Sequence, residues 1–161
     1  MSERADHTIK LEVISPARTV ISVEAESVTV PAEDGLLGIL PRHAPTVVLL
    51  APGVLSYASR GESHRLAVGG GFCEITGDRV LVVADTAERS EEIDVERARA
   101  AYEQAKARLD RELSGHEQAR AEAALKRAVA RLQAAGAWRR RYGYAGRPGQ
   151  RRMPTEHERD Q

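Results

Sequence analysis

The sequence predicts an α+β chain: an N-terminal antiparallel β-sandwich or barrel, a C-terminal antiparallel two-helix hairpin, and a disordered basic tail. Three observations predict it. Apolar residues recur with period two from Thr8 to Ala84. From Asp94 to Gly136 they recur at alternating spacings of three and four. After Gly136 the composition turns to Arg, Gly and Pro with no apolar period. The 161 residues therefore divide into a strand domain over 1–87, a hairpin over 88–136 and a tail over 137–161.

Taken in order, "TIKLEVI" puts Ile9, Leu11 and Val13 on one strand face, and "ESVTV" does the same for Val28 and Val30. "HRLAV" and "RVLVVAD" repeat the alternation near Leu66 and Val82. Turn signals separate these runs: Ser15-Pro16, Glu33-Asp34-Gly35, Pro52-Gly53, Arg60-Gly61, Gly69-Gly70-Gly71 and Thr76-Gly77-Asp78-Arg79. Short strands at intervals of about 8–12 residues predict an antiparallel sandwich, and this half holds no helix that could supply a parallel crossover. "TAERSEE" then reads as a polar linker, and Asp94 as the N-cap of a helix, its carboxylate accepting from free first-turn amides. Val95, Ala98, Tyr102, Ala105 and Leu109 form one stripe. "LSGHE" interrupts it around Gly115, and Ala121, Leu125, Ala128, Leu132 and Ala135 form a second stripe that Gly136 can end. The seam between the stripes is mostly alanine. At about 0.8 kcal/mol per buried methylene it gains far less than a leucine seam, so the hairpin is expected to close weakly and to be able to exchange this packing for another surface.

Composition narrows the function. The chain is 42% hydrophobic but only 4% aromatic, and its 24 basic and 24 acidic side chains cancel. A dedicated nucleic-acid binder is disfavoured unless the charges are segregated. Cys73 is the only cysteine, so no internal disulfide can form, and its apolar setting reads as a small buried hydrophobe. The polar start "MSERADH" is unlike a signal peptide. The longest apolar run, "TVVLLAPGVL", is too short to span a bilayer. A soluble protein of a reducing compartment is expected, reaching a membrane only through a partner. The five histidines show no metal-ligand spacing. No phosphate-binding lysine follows the glycines, and no nucleophile lies in a catalytic context, so neither catalytic residues nor a metal site is expected.

One charged cluster and one apolar segment stand out. Arg127 and Arg131 are four apart on the second helix, and an antiparallel hairpin brings Arg131 back beside Arg97 and Arg99, near Asp94 and Glu88. Two readings stay open: ordinary ion pairing, with Arg127 reaching Glu103 across the hairpin, or an anion site where guanidiniums and a helix N-terminus converge on phosphates. The segment "VPAEDGLLGILPRHAPTVVLLAPGVL" places Leu36, Leu37, Ile39 and Leu40 on what reads as a turn.

These motifs resemble the epsilon subunit family of the F-type ATP synthase. "VTVPAEDGLLGILPRHAPTV" is similar to that family's segment of Gly35, Gly38, Pro41, His43, Ala44 and Pro45. "VGGGFCEITGDRVLVVADTAER" resembles its second signature, and "IDVERARAA" with "ALKRAVARLQAA" its helical hairpin. The resemblance covers roughly Thr8 to Ala135. It implies a non-catalytic rotor subunit of the central stalk, with a β-sandwich that clamps the gamma subunit and rests on the ring of c subunits. Leu36, Leu37, Ile39 and Leu40, with Arg42 and His43, would then face the ring and gamma, some of the four apolar residues folding back under the turn. It implies a hairpin that lies against the sandwich or opens toward the alpha/beta hexamer, where Lys126, Arg127 and Arg131 would meet the beta subunit and block ATP hydrolysis. It implies no required cofactor, and a possible weak regulatory ATP at Glu88, Ile93, Asp94, Arg97, Ala98, Arg127 and Arg131. Gln104 stands where nucleotide-binding members carry a further arginine. The location implied is peripheral, on the cytoplasmic side of the cell inner (plasma) membrane.

Three other classes compete. A free-standing ATP sensor would bind nucleotide in isolation. A nucleic-acid adaptor would use the Arg-rich tail, whose Trp138 and "RRRYGY" could equally touch an acidic beta surface or stay solvated. An independent enzyme lacks any nucleophile, base and metal constellation.

Overall fold

The computed structural model describes residues 8–138. Apart from Ala137 and Trp138, the tail for which disorder is expected lies outside the described residues. Eight strands come first: β1 (Ile9–Ile14), β2 (Thr19–Ala25), β3 (Ser27–Ala32), β4 (Gly35–Ile39), β5 (His43–Ser59), β6 (Glu62–Gly77), β7 (Arg79–Ala84) and β8 (Ala87–Arg89). A 3₁₀ turn at Ser90–Glu92 leads to helices α1 (Val95–Leu109) and α2 (Gly115–Ala134).

The strands build one open sheet in the order β2-β1-β7-β6-β5-β3-β4, with β8 added on β6. Its inward residues form one core, including Ile9, Leu11, Val13, Val28, Val30, Leu55, Leu66, Ile75, Val80 and Val82. The alternation predicted for β1 and β3 is therefore the core face. Cys73 is buried among them, and burial pushes its thiol up to about 12.

Two expectations for this half are corrected. The ladders are not all antiparallel: β1 runs parallel to β7. No helical crossover is needed, because β2 to β6 wrap round and return the chain to the edge of β1. Nor are all strands short. β5 and β6 are 17 and 16 residues long, and the predicted turns at Pro52-Gly53 and Gly69–Gly71 lie inside them. The two breaker sites face each other, with Pro52 opposite Gly69 and Leu50 opposite Gly71. There β6 changes neighbour: Gly71 to Thr76 pair with β7, and Leu66 to Val68 with β8. Gly71 has φ +118°, and a Cβ there would lie 2.1 Å from the Val83 carbonyl oxygen. Only glycine lets β7 approach so closely.

Both helices are capped by their own sequence. The Asp94 carboxylate accepts from the Arg97 amide at 3.0 Å. Ser114 and Glu117 form a capping box at the start of α2, so Gly115 opens the second helix rather than interrupting the first. At the far end Gly136 has φ +69°, its N–H donates to the Gln133 carbonyl, and the Ala137 N–H donates to that of Leu132. This is a Schellman end. It turns the chain so that Trp138 packs edge-on against Tyr102 of α1, with ring centroids 5.4 Å apart.

The seam between α1 and α2 is alanine, as predicted: Ala98, Ala105, Ala121 and Ala128 are buried, with Leu132. α2 has a second buried face that the single stripe did not predict. Ala130 and Ala134 pack with Ala67 and Ile93, flanked by Val54 and Ala135. This face fastens the hairpin to the sandwich.

Candidate functional site

The hairpin and the sandwich enclose a cleft of about 320 Å³ lined by Glu88, Glu92, Asp94, Arg97, Ala98, Ala101 and Arg131. β8 supplies Glu88, the 3₁₀ turn Glu92, the N-cap of α1 Asp94, its first turns Arg97, Ala98 and Ala101, and α2 Arg131. Five of the seven residues expected to bind nucleotide thus meet here. Ile93 does not, because it is buried beneath in the alanine joint. Arg127 lies next door, in a crevice that shares Glu88 and Arg131 with the cleft. Glu92 and Ala101 were missed. Ala101 continues the helical stripe of Arg97 and Ala98 and could have been read from it, whereas Glu92 arrives only through the 3₁₀ turn.

The charges resolve unevenly. Arg131 binds Glu88 with both ends of its guanidinium, Nε at 3.1 Å from Oε2 and Nη2 at 3.2 Å from Oε1. Glu92 accepts from Arg18, and that hydrogen bond holds its carboxyl below the usual carboxylate range. Asp94 is occupied with its helix cap. Glu88 and Glu92 have cationic partners and Asp94 only a backbone amide, while the Arg97 guanidinium forms no ion pair among the described residues. Arg97, the one cation of the cleft without an ion pair, is the group there that an anionic ligand would meet, with the Asp94 carboxylate beside it. The ion-pair reading for Arg127 is corrected: it does not pair with Glu103 but lies against Gly69 and Thr86 of the sandwich. Arg99 also stays outside the cleft, pairing with Glu96 one turn back.

A second candidate surface lies on the sheet. The segment expected as a turn is largely strand β4, so its side chains alternate. Leu36 is 76% and Leu40 64% exposed, whereas Ile39 is in the core and Leu37 packs against it. As a surface anchor Ile39 is corrected, and Leu37 is partly buried, in keeping with some of the four folding back under the turn. Three further residues take their place: Val47 and Leu49, alternating on β5, and Phe72, the partner of Leu49 on β6. Their sequence signal is the run "TVVLL", apolar on both faces of a strand where one face would suffice for the core. Arg42 and His43 sit at the adjoining tip, where the Arg42 amide donates to Asp78 Oδ1 at 2.8 Å. Lys126 is exposed on α2.

Comparison with known proteins agrees with this layout. The family profile for the beta-sandwich domain of the ATP synthase delta/epsilon chain matches residues 8–90, and that for its long alpha-helix domain matches 91–136. The ATP synthase epsilon chain of Moorella thermoacetica is 53% identical over 131 residues, covering 81% of this chain and 98% of that one. That of Desulforamulus reducens is 45% identical over 128 residues, covering 80% and 97%. A chain of the Euglena gracilis mitochondrial ATP synthase, solved with OSCP, F1 and the c-ring, superposes with a TM-score of 0.69 at 25% identity, over 84% of this chain and 88% of that one. A sandwich, a capped helical pair and their joint, each matched along its length, lead to one conclusion: the chain belongs to the ATP synthase delta/epsilon family, as an epsilon-type, non-catalytic subunit of that complex.

Proposed function

We propose that this subunit is the part of the central stalk that couples a proton-driven c ring and the gamma subunit to the alpha/beta hexamer, and that its hairpin restrains ATP hydrolysis. The observation that carries this reading is the contrast between two surfaces. Leu36, Leu40, Val47, Leu49 and Phe72 leave large apolar side chains uncovered on a rigid sheet, which favours permanent partners there. The hairpin meets the sandwich through alanines, which favours release. In this reading the sheet face and the Arg42–His43 tip rest on gamma and the ring, and Lys126, Arg127 and Arg131 meet the beta subunit when the hairpin opens. No helix among the described residues is long and apolar enough to cross a membrane. The complex would hold the subunit peripherally, on the cytoplasmic side of the plasma membrane, where it serves proton transport. The test is ATPase activity of the assembled core with the full chain and with a chain ending at Asp94. Higher hydrolysis with the shortened chain supports the reading, and equal hydrolysis rejects regulation by the hairpin.

A second reading concerns a ligand. The unpaired Arg97 beside the capped start of α1 favours ATP as a regulatory occupant of the cleft. Gln104 offers no charge to strengthen it, so weak binding is expected. Calorimetry with ATP on the isolated chain, with Arg97→Ala as the comparison, decides it: heat that disappears in the variant supports binding, and no heat at millimolar ATP ends the proposal.

A further inference from the structure

The hairpin rests on the sandwich through an alanine joint, through Leu125 and Val129 beside Pro52 and Gly53, and through two long cations, Arg127 and Arg131. Arg131 has its partner in Glu88. Arg127 has none among the described residues, so something other than charge must account for its place. Its stem lies over Gly69: a Cβ built on that glycine would be 3.4 Å from Arg127 Cδ and 2.1 Å from Thr86 Oγ1. Gly69 has no positive φ. Its backbone does not demand glycine, and room alone does. The notch is held from below, where the Gly69 N–H donates to the Thr86 carbonyl at 2.9 Å. It is also full. The crevice lined by Ala67, Val68, Gly69, Thr86, Glu88 and the two arginines leaves about 10 Å³, no more than a single water requires.

We propose that Gly69 and Thr86 form a seat for the stem of Arg127, and that this seat is the catch that fixes where α2 docks and how readily it leaves. The alanine contacts around it are too shallow to fix a register, since neighbouring small residues can slide past one another with little change in packing. Arg127 is the long side chain that drops into a notch shaped by a missing Cβ. A methyl group on residue 69 collides with the Thr86 hydroxyl. The exposed Thr86 side chain must turn away, and the Arg127 stem, 3.4 Å from the new methyl, loses its close fit, which loosens α2. Gly69 and Thr86 are thus positioning residues for the hairpin. The inference concerns the docked state itself and does not depend on whether the hairpin regulates hydrolysis.

Hydrogen exchange on the isolated full-length chain tests it. Gly69→Ala is expected to speed exchange of α2 amides about tenfold while those of β1, β2 and β7 keep their protection. Gly69→Ala combined with Thr86→Ala removes the colliding oxygen and restores slow exchange. Arg127→Ala, which leaves the strands untouched, also speeds α2. Unchanged α2 exchange in either single variant overturns the proposal. So does a loss of protection in the strands equal to that in α2, or a double variant no slower than Gly69→Ala.

Discussion

In the sandwich, Leu11, Leu55, Leu66 and Ile75 are each no more than 1% exposed, and they interlock across an open sheet. In the hairpin the corresponding positions are Ala98, Ala105, Ala121, Ala128, Ala130 and Ala134, with Leu132 the one larger side chain buried in either helix. Each alanine in place of a leucine forgoes about 2 kcal/mol of burial. One part of the molecule is thereby committed to its shape, and the other is held by contacts small enough to be exchanged. Helix caps and the Trp138–Tyr102 contact keep the two helices together as a unit, so the weak boundary is the one between that unit and the sheet.

The comparison can be broken at its strong side first. Leu66→Ala is expected to cost about 2–5 kcal/mol and to lower the urea midpoint of the whole chain. If only the hairpin loosens, the sandwich is not the stable half. Leu132→Ala should cost about 2–3 kcal/mol, felt locally: α2 amides exchange faster while the strand midpoint stays put. A fall in the global midpoint equal to that of Leu66→Ala would mean that the helices and strands form one cooperative unit.

Glu88→Gln sharpens the boundary itself. It removes a partly exposed ion pair and should weaken docking by ~1 kcal/mol, seen as faster exchange in α2 but not in β6. No change would leave the joint to its alanines and Arg127. The smallest effect is one of pH. Hydrogen bonds from the Ser114 hydroxyl and amide hold the Glu117 carboxyl below the usual range. A lowered folded value means that the carboxylate stabilises α2 fully above the ordinary glutamate value of about 4.3, and that this is lost as pH falls through the depressed value. Circular dichroism should show a slight acid loss of helix that Ser114→Ala abolishes; an identical acid profile in that variant would assign the loss elsewhere.

Much of this was legible in the residues because it is local. The period-two core face of β1, the Asp94 cap and the alanine seam follow from side-chain spacing and hydrogen-bonding chemistry within a few residues. Four residues of the cleft, Glu88, Asp94, Arg97 and Arg131, were legible for the same reason, through helical spacing combined with an antiparallel hairpin, while Ala98 came from the family resemblance. Pro52-Gly53 and Gly69–Gly71 misled, because their breaker chemistry says that regular pairing is disturbed but not whether the chain reverses or continues. Here they face each other and the strands run on. The alternation of Leu36 and Ile39 was missed for a related reason: a glycine-rich run reveals its strand only when β3 pairs with it.

What the chain could not announce is what depends on contacts between distant segments. The parallel pairing of β1 with β7, the second buried face of α2, the return of Trp138 to Tyr102 and the place of Arg127 over Gly69 each join residues dozens of positions apart. Periodicity marks which faces are apolar, but alanine and arginine stems suit several neighbours equally well. Only the packed molecule selects among them, because close packing leaves room for one arrangement.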